Sequence, residues 1–407
     1  MELLQKLIQI QSISGNEAEI AKFILDTLQS WGVGARRQNG NVIAYIPGKD
    51  GSRALIFNTH MDTVPASNPE KWVYPPYGKN AGRIIRDKLY GLGASDDKGG
   101  IAAILNLIDT MICGSCRSSV PNFASKSPSL GWAQGREATF GKPSLVPPVS
   151  KLDVGNLPFD LWFTFVAGEE TDGSGTEKFL DWFCDTKYFT KYKKISAIIG
   201  EPTGNKELEI GHRGNIFLTV TAKGLSGHGA KNYKKEDLAV EKILKIAEKL
   251  KSASLIWKKE YRDKFLGEPS LNITGIFSST NIANVLPAEC SLFVDIRTTP
   301  LLHEEIKTLL EKLVDFEEGI SCMIKERSYG FTSLEAGIVK SFKKVMKGIK
   351  LSSSMGTTDM SQFTQRGIET VVFGPGDREC IHKENEFVEL SNVSECVKIY
   401  RKIIDCF

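Results

Sequence analysis

The chain has 407 residues, 41% of them hydrophobic and 25% charged, enough apolar material for two domains of ordinary size. Its 52 basic and 49 acidic residues leave a net charge of +3, too even a balance for a nucleic-acid-binding or membrane-surface protein. No apolar run is long enough to span a bilayer, and the start, Met1-Glu-Leu-Leu-Gln-Lys-Leu-Ile, has no basic n-region or cleavage site, so the expected compartment is the cytoplasm.

Amphipathic helices are predicted over 2–10 and 17–31. The second is introduced by the capping-box pattern Ser14-Gly-Asn-Glu17 and ended by Gly32 and Gly34. Strands follow at 42–46 and 54–58, and the second runs into Thr59-His60-Met61-Asp62-Thr63-Val64-Pro65. A His and an Asp two apart beyond a strand suit a metal ligand and the carboxylate that orients it, although His-x-Asp alone is common. Next comes Leu89-Tyr-Gly-Leu-Gly-Ala-Ser95-Asp96-Asp97-Lys98-Gly99-Gly100, then an apolar helix over about 101–111. Its glycines match neither the dinucleotide nor the Walker spacing. Asp96 and Asp97 read equally well as a metal bridge or as helix caps.

Residues 113–156 are rich in Ser, Pro and Gly without periodicity and read as a long loop or disordered insertion. Cys113 and Cys116 there have no second pair to complete a zinc site, and the eight cysteines overall form no disulfide framework. The run Leu161 to Val166 reads as a buried strand that stops at Gly168, with Glu169 and Glu170 just past it. Those two acids taken alone would pass for solvated loop residues. A helix over about 175–183 and a strand at 195–199 follow, the strand ending at Gly200-Glu201-Pro202.

From about His212 the pattern changes. Strands at 216–222, 271–277, 290–297 and near 321–325, with helices over about 236–252 and 303–314, follow the order of an inserted ferredoxin-like domain. A helix over about 334–346, a strand at 370–373, the tail Gly374-Pro-Gly376-Asp-Arg-Glu-Cys-Ile-His382-Lys-Glu384-Asn385-Glu386 and a helix over about 391–404 complete the chain. The domain organisation expected is 1–211, 212–325 and 326–407, the first and last forming one α/β domain.

Most of these polar motifs lie at strand ends, the edge where open α/β sheets bind ligands. His60, Asp96, Glu170, Glu201 and His382 suffice for two symmetric sites bridged by Asp96. Nitrogen and oxygen donors without thiolate suit zinc, with cobalt or manganese as alternatives. Two divalent metal ions held this close would acidify a shared water and polarise a carbonyl, leaving Glu169 as general base.

The segments His60-Met-Asp62-Thr-Val-Pro65, Leu89 to Gly99, Gly168-Glu-Glu170, Gly200-Glu-Pro202, Ser226-Gly-His228, Asp295-Ile-Arg297 and the His382 tail together resemble a known family. It is the co-catalytic zinc aminoacylase and carboxypeptidase family, which includes acetylornithine deacetylase, succinyl-diaminopimelate desuccinylase and carboxypeptidase G. The resemblance spans nearly the whole chain apart from the insertion. It implies a zinc-exopeptidase-like catalytic domain with a mixed, mostly parallel sheet flanked by helices, and an inserted ferredoxin-like α+β lid or dimerisation domain. It implies that His60, Asp96, Glu170, Glu201 and His382 are the metal ligands, Asp62 the orienting partner of His60, and Glu169 the base. His228 would donate to the tetrahedral oxyanion, and Asn284 and Arg297 would bind substrate; a structural salt bridge is a nearly equal reading of Arg297. The sequence departs from the family in the insertion and in Gly-Ala-Lys-Asn after His228, where a proline is usual nearby.

The function expected is hydrolysis of the amide bond of a small N-acyl amino acid, with a dipeptidase or carboxypeptidase as the alternative, by a homodimer with no nucleic-acid or membrane partner. An inactive metal-binding relative would have no need of Glu169. A serine hydrolase is disfavoured because Gly-x-Ser-x-Gly is missing.

Overall fold

The computed structural model describes residues 2–113, 157–314, 319–354 and 356–407. Beyond Cys113, the segment expected to be an insertion, with Cys116, lies outside the described residues. The chain divides into two compact units, Met1–Lys206 with Phe373–Phe407, and Glu207–Val372.

In the first unit the long apolar runs form the strands Asp50–His60, Phe159–Val166 and Lys194–Ile199, which pair in parallel with Asp50–His60 in the middle. Every residue of Phe159–Val166 is buried, as expected of a strand covered on both faces. Asn41–Ile46 and Ala35–Gln38 extend the sheet in antiparallel fashion. The helix Lys98–Cys113 is apolar almost throughout, which fits its position packed on Asp50–His60 and against the helices Glu2–Gln9 and Leu390–Cys406. This is the mixed α/β architecture expected. The short strands Arg83–Ile85, Lys88–Tyr90 and Phe387–Glu389 form a separate antiparallel sheet and have no counterpart among the predicted elements.

One local expectation fails. The helix Ala18–Ser30 has no side-chain cap. Ser14 instead donates its hydroxyl to Asp62 Oδ2 at 2.7 Å, and the Glu17 carboxylate accepts from the Gly15 amide at 2.9 Å. A capping serine has been diverted to a tertiary partner, so the box pattern is present without the box.

In the second unit, Gly214–Lys223, Ser270–Ser278, Glu289–Thr298 and Ile320–Arg327 form an antiparallel sheet. Numbered along the chain, these strands lie in the order 4-1-3-2, the ferredoxin-like arrangement. The helices Ala239–Glu260 and Pro300–Val314 supply Ile243, Leu250, Trp257, Ile306 and Leu310 to the core formed with Ile216, Leu218, Val220 and Ile296. The unit is wider than this subdomain because Glu207–His212 pairs with Gly330–Phe331, Lys350–Ser354 and Glu369–Val372.

Candidate metal centre

The three parallel strands of the first unit end at one edge, and each leads to an ionisable residue. His60 is the last residue of Asp50–His60. Phe159–Val166 leads to Glu169 and Glu170 through Gly168, whose φ of +74° suits a residue without a Cβ. Its carbonyl accepts from the amides of Asp172 and Gly173, closing the turn that presents both acids. Lys194–Ile199 leads through Gly200 to Glu201. Gly374 packs so closely there that a Cβ on it would strike the Gly200 carbonyl. Asp96 comes from the loop before Lys98–Cys113. His382 does not lie just past a strand: Glu369–Val372 ends well before it, and it sits in a turn with φ of 58°.

These residues converge. His60 Nε2 is 2.9 Å from Asp96 Oδ1. His382 Nε2 is 3.0 Å from Glu170 Oε1 and 3.5 Å from Asp96 Oδ2. The two oxygens of Asp96 therefore face two different imidazoles. Donor atoms of His60, Asp96 and Glu170 lie within 4.8 Å of one another, as do those of His60, Glu169 and Glu201.

Asp62 organises this edge from beneath. Completely buried, it accepts from the Ser14 hydroxyl and, at 3.1 Å each, from the amides of Glu169 and Glu170. His60 Nδ1 lies 3.0 Å from the Asp62 carbonyl oxygen. A carbonyl can only accept, so Nδ1 carries a proton, and Nε2 is the ring nitrogen that faces the acidic cluster. Burial opposes ionisation of Asp62, yet its bonds to His60, Ser14 and Glu170 hold its pKa down at about 2.

The electrostatics show which ions suit this edge. Burial, then the charges of Glu169 and Asp96, push the pKa of Glu201 well above the usual carboxylate value. Burial works against charge on His60, but Asp62 and Asp96 together raise its pKa well above the ordinary imidazole value. The hydrogen bond that His382 donates to the Glu170 carboxylate lifts its pKa to about 8. Two like charges 4 Å apart repel by roughly 4 kcal/mol at an effective dielectric near 20. Four acids, Asp96, Glu169, Glu170 and Glu201, converge here on the two imidazoles. Protons on those rings leave the cluster anionic, whereas divalent cations between the donors would balance it. The donor set, oxygen and imidazole nitrogen without thiolate, fits such ions.

Two further buried charges escaped sequence reasoning. Glu386 is 1% exposed and accepts from the amides of Gly93, Ser95 and Asp96. Burial and the Asp96 charge push its pKa up to about 8, against the pull of those amides. Lys98, also buried, donates to the Ile10 carbonyl at 2.7 Å. Its pKa falls to about 7 through burial, with Glu386 opposing the fall. The only hint of either was a charge set directly against an apolar run.

His228, Asn284 and Arg297 belong to the second unit. The ribbon of Gly227–His228 and Val285–Leu286 sets Asn284 Nδ2 3.4 Å from His228 Nε2. Arg297 is bound on two sides by Asp295, Nε to Oδ1 at 2.9 Å and a terminal nitrogen to Oδ2 at 3.0 Å. That is the salt bridge held open as an alternative.

A protein-family model described as peptidase family M20/M25/M40 matches residues 56–112 and 151–405. The chain belongs to this family. The M20 match skips most of the stretch singled out as an insertion. A succinyl-diaminopimelate desuccinylase of Hahella chejuensis is 25% identical over 420 residues, covering 100% of this chain and 96% of the relative. A peptidase M20 domain-containing protein of Schizosaccharomyces pombe is 26% identical over 419 residues, covering 99% and 84%. Among solved structures, a tripeptidase from Staphylococcus aureus superposes with a TM-score of 0.70 at 18% identity, covering 99% of this chain and 96% of that one. A dinuclear metal-binding M20 peptidase from Bacillus subtilis gives 0.66 at 13% identity, with the same coverage. The M20 chain is thus a metal-dependent hydrolase of linear amide bonds. Among the described residues, no helix is long and apolar enough to cross a membrane.

Proposed function

We propose that this M20 enzyme is a dinuclear hydrolase that cleaves the amide bond of small N-acyl amino acids, with zinc as its metal. The observation that carries the reading is Asp96, whose two carboxylate oxygens face His60 and His382 separately. His60, Glu201 and Asp96 would hold one ion, and His382, Glu170 and Asp96 the other. Bound there, the pair would supply acidification of water and polarisation of the amide carbonyl. The chain's own residues do the rest. Asp62 keeps His60 in the tautomer that presents Nε2 and fixes the backbone of Glu169 and Glu170. Glu169, which the ligand set leaves over, takes the proton of the attacking water and passes it to the leaving amine. In His228, Nδ1 accepts from the Ala230 amide at 3.2 Å, so the ring proton is on Nε2, the form that can donate to an oxyanion. Asn284, beside that ring, would bind substrate.

The amino-acyl reading draws on the desuccinylase relatives; the names of the structural neighbours, a tripeptidase among them, favour a peptidase instead. A substrate panel separates the two. Protein stripped by chelation should lose hydrolysis of N-acetyl and N-succinyl amino acids and recover it on addition of zinc or cobalt. Activity confined to dipeptides or tripeptides would favour the second reading, and activity that survives complete metal removal would sink both.

A further inference from the structure

Asp96 and His382 are far apart in the chain, yet the metal pair requires them in fixed register, and one buried side chain links their segments. Glu386 Oε1 accepts from the amides of Ser95 at 2.9 Å and Asp96 at 3.0 Å, while Oε2 accepts from the Gly93 amide at 3.0 Å. Its own carbonyl accepts from the Gly91 amide at 2.9 Å. The Ser95 hydroxyl returns a bond to the Phe387 carbonyl at 2.7 Å. The turn that presents Asp96 is thus bonded along its length to the segment four residues past His382. An ionised carboxylate suits the task because both its oxygens accept, and the groups that the turn aims at them are amide N–H donors.

We propose that Glu386 is a positioning residue for the metal pair: it locks the Asp96 turn onto the His382 segment, so that both ions meet a preformed set of donors. This rests on the dinuclear reading above. Partners that orient metal ligands typically change metal affinity by 10–100-fold when removed. Glu386→Gln is the sharp variant, since an amide has one acceptor oxygen and its NH2 group must confront a backbone N–H of the turn. Ser95→Ala is the milder one, removing the hydroxyl link to Phe387.

The test is titration of metal-free protein with zinc by calorimetry, with circular dichroism to follow the fold. Wild type should take up two ions. Glu386→Gln should weaken binding of at least one of them by roughly 10–100-fold, and Ser95→Ala by a smaller factor, with helix content unchanged. Glu384→Gln, which alters an exposed carboxylate bonded to Asn68, should bind as wild type does. Two ions bound with wild-type affinity by folded Glu386→Gln overturn the proposal. If that variant does not fold, wild-type affinity in Ser95→Ala overturns it instead. Wild type binding fewer than two ions sinks the dinuclear reading, and this inference with it.

Discussion

In the second unit, the strand Gly214–Lys223 alternates buried Ile216, Leu218, Val220 and Ala222 with the outward Phe217, Thr219 and Thr221. Its core is made of interchangeable apolar pieces, each contributing a share. At the sheet edge of the first unit the buried ionisable groups include His60, Asp62, Asp96, Asp97, Lys98 and Glu386. Burying such groups is costly unless each finds a partner. There, stability depends on particular bonds, such as the three amides on Glu386 and the two on Asp62. One region follows its hydrophobic pattern and the other breaks it. A locally costly arrangement, with both Asp97 oxygens buried and unbonded, is expected where chemistry is done.

This contrast makes distinct predictions for the two regions. The largest effect is expected at the metal edge: Glu169→Gln should keep its metal content and stability but lose roughly 10²–10⁴-fold in turnover. Metal analysis beside steady-state kinetics checks this, and wild-type turnover in the metal-loaded variant would remove Glu169 from the role of base. In the second unit, Leu218→Ala should behave in the opposite way. Deleting a fully buried leucine costs about 2–5 kcal/mol, read as a lowered denaturant midpoint, while metal bound per folded chain stays the same. A cost below about 1 kcal/mol would mean that the core there is looser than its burial implies.

The smallest effect is one of pH. His212 is fully buried in the second unit, and burial pushes its pKa from 6.5 down to about 4. The unfolded chain takes up a proton below pH 6.5, whereas the folded one does not until about pH 4. The neutral ring's contribution is therefore complete above pH 6.5 and is lost as pH falls toward 4, a change of about 3 kcal/mol. Replacing His212 with Gln should flatten the stability profile across that window. An unchanged slope would show that other groups set the acid sensitivity.

Much of the fold was legible because its long elements obey simple periods. Phe159–Val166 announces itself as an unbroken apolar run, and Gly214–Lys223 by its alternation. The strands that escaped are those whose partners are remote or whose composition misleads. Ala35–Gln38 is mostly Arg and Gln, and Glu207–His212 buries Glu209 completely. The short strands at 83–90 and 387–389 exist only because they meet one another. Ser14-Gly-Asn-Glu17 shows the converse failure, a valid local signal overridden by the tertiary bond to Asp62.

At the sheet edge, the side chains that converge could be picked out as candidates because their donor chemistry is intrinsic and three strands lead to His60, Glu169, Glu170 and Glu201, whereas Asp96 and His382 come from turns. What no stretch of chain could contain is how Asp96 divides its oxygens between His60 and His382, that Glu386 clasps the Asp96 turn, or that Arg297 is already held by Asp295. Those arrangements depend on distances between residues remote in the chain. Hydrogen bonds form only within about 3 Å, so only the folded backbone decides which of the many possible polar partners come within reach.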